Sequence, residues 1–415
     1  MKLTCQRWLR PRILPIFFSG LAVALGTSPG PAQSYVYING VPDYTWYAGC
    51  FGTATGNLMG FWDRNGFPDF YTGPTGGGVA PLDTYTADKK GIRSMWASKA
   101  GVDGRPANQP GHIDDYVGSN PGDNMDSYES TAADPYVLAG RPEHAPDCVG
   151  DFIGLNQKKW TNMAGECDGN IDAYSFVFWD KTGQRRANYS STNTAGQYVP
   201  DIQSGLRAWA KHRGYDADVF TQLTIFNGER TGPSGFTYAD VQAEIDAGYP
   251  ILCFLQPTTQ FSRNLNGPVA MRANPEIHGV LIYGYYDDPG SGYSQTVLIR
   301  TSWGEDLGPQ LWSSGDWLGL FPVRGVIAFH PKPKITRVTR TDGNVTILWD
   351  GPAGTLTDEF AAPEERIREA HQYQVERSAT LNSKNFQAVG SPTTAHTITL
   401  PECCGDTGFY RIRLL

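Results

Sequence analysis

Past residue 26 the chain has no apolar run near the ~20 residues that a membrane-spanning helix needs, so no membrane insertion is expected of the mature protein. It also lacks a basic excess: 34 Lys and Arg stand against 42 Asp and Glu, a net charge of −8. Such a surface gives a phosphate backbone nothing to neutralise, and nucleic acid is excluded as an expected partner. No long-period repeat recurs, and no stretch has the spacing of a twelve-residue calcium loop. Asp114 with Asp115, Asp123 with Asp126 and Asp168 with Asp172 read as solvated turns. No metal and no cofactor is expected. Low aromatic content, a mark of disorder, is missing too: 11 Trp, 21 Tyr and 19 Phe are enough for a large core.

What is present begins with a leader. Lys2, Arg7, Arg10 and Arg12 precede an apolar run from Ile13 to about Gly26, and small residues follow at Gly30 and Ala32. This is the pattern of a secretory signal peptide over residues 1–32, with a secreted or periplasmic mature chain. Loss of those four basic residues takes the net charge from −8 to −12. Of the seven cysteines, Cys5 departs with the leader; Cys50, Cys148, Cys167, Cys253, Cys403 and Cys404 stay. An oxidising compartment favours disulfides, with Cys148 and Cys167 the best-placed pair, ahead of a zinc site with His144.

At 415 residues the chain exceeds the ~250–300 at which single cores stop growing, so two domains are expected. A helix should start beside Gly49, since Ala54, Leu58, Phe61 and Trp62 form one apolar stripe that Gly66 and Pro68 end. Residues 68–200 are loop-rich, with a short strand at Tyr174–Trp179. Ile202, Leu206, Trp209 and Ala210 mark a second helix that Gly214 stops. Thr237 caps a third that runs through Ala247 and is broken by Gly248 and Pro250. Strands are expected at Ile251–Leu255, His278–Tyr286, Thr296–Ser302 and Gly325–His330. The fold class is therefore α+β over residues 33–331, with an antiparallel sheet. Lys332, Pro333 and Lys334 read as a linker, after which Val345, Ile347 and Trp349, then Tyr373 and Val375, then Phe409, Tyr410 and Ile412 suggest an all-β sandwich over 332–415. Asp358–Ala370 reads as an acidic surface loop or short helix within it.

Cysteine attacks as thiolate, which the start of a helix and a nearby imidazole both favour. Cys50 opens the first expected helix, His278 opens a strand, and a later strand ends in Ser302, Trp303 and Gly304. That order, more than any one residue, points to a nucleophile and its base. The segments "YAGCFGTATGNLMGFWDRNG", "YADVQAEIDAGYPILCFL", "HGVLIYGYYDD" and "VLIRTSWGE" resemble the papain-like cysteine peptidases, in particular the bacteriocin-processing-peptidase-like group found in many secreted bacterial proteins. The resemblance implies a papain-like fold that hydrolyses peptide bonds in a peptide or protein substrate, with Cys50 as nucleophile and His278 as base and then acid.

It places Thr301 where the family has the Asn or Asp that orients the histidine, and its hydroxyl is the expected acceptor. Asp288, ten residues from His278 along an extended strand, is about 33 Å away and too far to take that role. The family's oxyanion glutamine is missing before Cys50, leaving Tyr44 and Trp46 as side-chain donors or as packing residues. A silent papain fold used as an extracellular binding or adhesion module is the alternative, and transglutaminase-like relatives turn the same thiol chemistry to acyl transfer. The tail, through "NVTILWDGP", "YQVERSATLNSKNFQAVG" and "GFYRIRLL", resembles a fibronectin type III-like domain, which implies an accessory role in cell-surface or polysaccharide contact.

Overall fold

The computed structural model describes residues 33–44, 50–71, 79–82, 149–153, 179–189, 202–255 except 227 and 229, 278–302 except 291 and 292, 309–312, 317, 323–401 and 408–415. The signal peptide, Trp46, the acidic pairs, His144, Cys148, Cys167, the Tyr174 end of the expected strand, Trp303, Cys403 and Cys404 lie outside the described residues. Among the described residues no helix is long and apolar enough to cross a membrane.

In chain order the elements are β1 (Ser34–Ile38), α1 (Cys50–Arg64), α2 (Val149–Ile153), β2 (Arg186–Ala187), α3 (Ile202–His212), β3 (Ala217–Leu223), α4 (Tyr238–Asp246), β4 (Ile251–Leu255), β5 (His278–Asp288), β6 (Tyr293–Arg300), β7 (Gln310–Leu311) and β8 (Val323–Pro331). The tail adds β9 (Lys334–Thr341), β10 (Asn344–Asp350), β11 (Thr355–Asp358), β12 (Ile367–Glu369), β13 (Tyr373–Ser378), β14 (Gln387–Ala388), β15 (Thr397–Pro401) and β16 (Phe409–Leu414). The protein is mixed α and β, with every strand pairing antiparallel.

One ten-stranded sheet dominates, in the order β12-β11-β1-β5-β4-β8-β3-β2, with β6 on β5 and β7 on β6. The long strand β5 is its axis: residues 278–282 pair with β4, residues 284–287 with β1, and β6 runs alongside. Its sequence reads as a continuous apolar run because it is buried from His278 to Ile282.

α1 is apolar almost all round, and Cys50 through Asp63 are buried, as a helix packed inside a core must be. It stops as expected, with Gly66 at φ +100° and the Phe67 N–H donating to the Trp62 carbonyl at 3.0 Å. Asp63, just before that end, accepts from the N–H groups of Tyr71 and Ala80, and burial pushes its carboxyl pKa up. α4 begins on a full capping box: Thr237 accepts from the Asp240 N–H, and the Asp240 carboxylate accepts from the Thr237 N–H.

The tail has a core of its own and also joins the main sheet. Sheets β15-β10-β9 and β14-β13-β16 enclose Val345, Ile347, Trp349, Tyr373 and Val375, and the Trp349 and Tyr373 rings meet edge to face at 5.6 Å. β11 and β12, however, leave that sandwich. β11 pairs with β1, Val36 opposite Asp358 and Ile38 opposite Leu356, and β12 extends the same edge. The acidic stretch from Asp358 is thus the turn and edge strand of the large sheet rather than a loop of the sandwich. Behind β10, Gly351 donates to the Gly66 carbonyl at 3.1 Å and Asp350 accepts from the Tyr215 hydroxyl at 2.8 Å.

Candidate active site

Cys50 is the first residue of α1, is buried at 5 % exposure and is a thiol rather than half of a disulfide. At a helix start the first-turn N–H groups point out of the helix end, where a negative charge is stabilised. His278 is the first residue of β5, 3 % exposed, and sits opposite Leu255 on β4.

The residues next to these two hold their elements together. The Phe51 ring stacks on Phe254 of β4 with centroids 4.3 Å apart, and it lies over Gly279, the strand neighbour of Phe254. A Cβ placed on Gly279 would fall 2.4 Å from Phe51 Cδ1. Only a glycine lets the helix start settle this closely on the strand. The chain neighbours of Phe51 and Gly279 are Cys50 and His278, so the packing seats the start of α1 on the start of β5.

The imidazole is oriented by main chain. His278 Nε2 lies 2.6 Å from the Thr301 carbonyl oxygen. A carbonyl can only accept, so Nε2 carries the hydrogen and the neutral ring keeps its lone pair on Nδ1. Burial lowers the His278 pKa from 6.5 to about 4, while the bond to Thr301 works the other way. At neutral pH the ring is therefore uncharged, with Nδ1 basic. Thr301 is fully buried, as its expected role requires, but the acceptor is its main-chain oxygen and not the hydroxyl.

Tyr44 is committed elsewhere. Its hydroxyl donates to the Pro81 carbonyl at 2.8 Å, its N–H donates to Asn57 Oδ1, and its oxygen is the atom nearest to a Cβ built on Gly60. Gly60 is ten residues into α1, about 15 Å along the axis from Cys50 at 1.5 Å per residue. The phenol packs away from Cys50, and the first-turn N–H groups of α1 lie at the Cys50 end of the helix. Asp43 is held against Arg300 at 3.7 Å, and Asp288 stands at the far end of β5.

No protein family, curated protein or solved structure matches the chain. Among the described residues no group of three or more His, Cys, Asp and Glu is placed to hold a metal ion.

Gly279 was not singled out from sequence, and Ser302 was noted only as the end of a strand, with no role of its own. Gly279 had a signal, a glycine inside an otherwise bulky buried strand, which marks close approach of another segment. Ser302 had none, because its part is set by backbone conformation.

Proposed function

We propose that the chain is a papain-like cysteine peptidase in which Cys50 attacks the substrate carbonyl and His278 is the base. The observation that supports this most is the seating of Phe51 on Gly279, which joins the helix led by Cys50 to the strand led by His278.

In the proposed reaction, Nδ1 of neutral His278 takes the thiol proton as sulfur bonds to the peptide carbon. The carbonyl oxygen, now an oxyanion, is stabilised by N–H groups at the start of α1. The imidazolium returns its proton to the departing amine nitrogen, the C–N bond breaks, and a thioester remains. Water attacks the thioester with its proton passing to Nδ1, and the carboxylate product leaves as sulfur recovers the proton. Throughout, Nε2–H stays on the Thr301 carbonyl, whose partial negative charge favours the imidazolium.

The leader and the tail complete the proposal: a secreted or periplasmic enzyme acting on a peptide or protein substrate, with a fibronectin type III-like region for cell-surface or polysaccharide contact. The test is covalent labelling of Cys50 by a thiol-directed peptidyl inhibitor, read by mass spectrometry. Reaction in the wild type and its loss in His278→Ala support a peptidase. A second reading, a silent papain-like binding module, is favoured by the commitment of the Tyr44 hydroxyl to Pro81, which leaves that side chain no part in an oxyanion hole. Equal inertness of wild type and His278→Ala toward the inhibitor would favour it over the peptidase reading.

A further inference from the structure

The last rung between β5 and β6 pairs Leu281 with Arg300. Continuing that register by two residues would bring Ser302 opposite Gly279. The chain instead turns out of the sheet there: Ser302 has φ +66°, in the left-handed region that a residue with a Cβ seldom enters. Its hydroxyl then donates to the Gly279 carbonyl at 2.9 Å, standing in for the rung that the turn removes. Ser302 is fully buried, so no water competes for that carbonyl. The peptide plane that carries the Thr301 oxygen is bonded directly to the Ser302 nitrogen, and the Ser302 φ angle sets how that plane is turned. One residue therefore fixes the acceptor of the His278 proton and ties it to the neighbour of His278 on β5.

We infer that Ser302 is a positioning residue: its left-handed backbone and its bond to Gly279 hold the Thr301 carbonyl on Nε2 and thereby lock His278 in the tautomer with a basic Nδ1. This rests on the proposed role of His278 only for its catalytic consequence; the tautomer lock itself does not.

The test uses the full chain labelled with ¹⁵N in histidine, since imidazole nitrogen shifts report the tautomer directly, together with the rate of Cys50 alkylation by iodoacetamide at neutral pH. Three variants separate the parts. Ser302→Gly adopts the left-handed turn at no steric cost but has no hydroxyl. Ser302→Ala lacks the hydroxyl and strains the turn. Ser302→Asn tolerates the turn and offers an amide N–H to Gly279.

The expected result is a single Nε2–H tautomer for His278 in wild type and Ser302→Asn, and a mixture in Ser302→Gly and Ser302→Ala. Alkylation should slow about tenfold in the last two, the equivalent of one ordinary hydrogen bond, and stay within about threefold in Ser302→Asn. Should Ser302→Ala fail to fold, Ser302→Gly decides alone, because glycine removes the strain as well as the hydroxyl. An unmixed Nε2–H tautomer in Ser302→Gly overturns the inference. A wild type whose Cys50 does not react at all counts against the peptidase reading, and the nitrogen shifts still decide the inference about Ser302.

Discussion

Phe51 lies so close over Gly279 that a single added methyl would overlap its ring, at 2.4 Å from Cδ1. Stacked on Phe254 as well, the ring has nowhere to retreat. Gly279→Ala should therefore lift the start of α1 from β5, at a cost of about 1–3 kcal/mol, the usual penalty for overpacking a filled core. Urea melts give the stability change, and Cys50 alkylation by iodoacetamide gives the site's response. Reactivity lost while most of the protein remains folded is the expected pattern; unchanged reactivity would mean that this contact does not seat the nucleophile.

Thr301→Val should be close to silent. The group that faces His278 Nε2 is the main-chain oxygen, which valine retains. Cys50 alkylation and peptide hydrolysis are expected within about twofold of wild type, because no acceptor is removed from the ring. A tenfold fall with a normal melting curve would instead assign the orienting role to the hydroxyl.

Tyr44→Phe separates packing from catalysis in the same way. The change removes the donor to the Pro81 carbonyl and should lower stability by about 1 kcal/mol, with kcat for peptide hydrolysis unaltered. A fall in kcat at unchanged stability would return the phenol to the oxyanion hole.

Acid should destabilise the fold through two buried imidazoles. Burial lowers His278 to about 4 and His371 to about 4, the latter with help from the nearby charges of His330 and His396. Each is protonated in the unfolded chain below the usual 6.5, so between about 6.5 and 4 the unfolded state holds more protons. The stability that these neutral rings provide is complete above 6.5 and is lost as the pH falls toward 4. Urea melts across this range should show it, and His371→Phe should make the slope near pH 5 shallower by about one proton. A slope that His371→Phe leaves intact would locate the proton uptake elsewhere.

A chain ended after Pro331 should not keep the native fold. It would lose β11 and β12, uncovering the edge of β1, and with them the contacts of Gly351 with Gly66 and Asp350 with Tyr215 at the end of α1. An open strand edge next to an apolar sheet is an aggregation site. Size-exclusion chromatography of the shortened chain should show aggregates, and a monodisperse, thiol-reactive product would show that the sheet closes without the tail.

Much of this architecture was legible because its signals are local. Thr237 and Asp240 form their capping box within one turn, and the α1 stripe ends where Gly66 takes a positive φ. Four strands of the main sheet, β4, β5, β6 and β8, lie where apolar runs placed them, with small shifts at their ends, whereas β1, β2, β3 and β7 were not expected. β6, expected through Ser302, stops at Arg300 because Ser302 adopts a left-handed conformation that serine does not advertise. Two features left no trace that a sequence reading can use. The acceptor of the His278 proton is a main-chain oxygen, which every residue has. The partner of β1 is β11, a four-residue strand too short to show an alternation of its own, so neither the strand nor its partner was expected.

Val36 sits opposite Asp358, so this rung of the ten-stranded sheet cannot form until more than three hundred further residues have been made. On a ribosome that delivers roughly 5–20 residues per second, β1 waits many seconds for this partner. Loop-closure entropy over so long a span also makes the pairing a late step of folding. Until Thr355–Asp358 has been made, β1 carries an open outer edge. That edge, and with it the ten-stranded sheet, is completed by a segment of the tail and not by neighbours of β1 in the sequence.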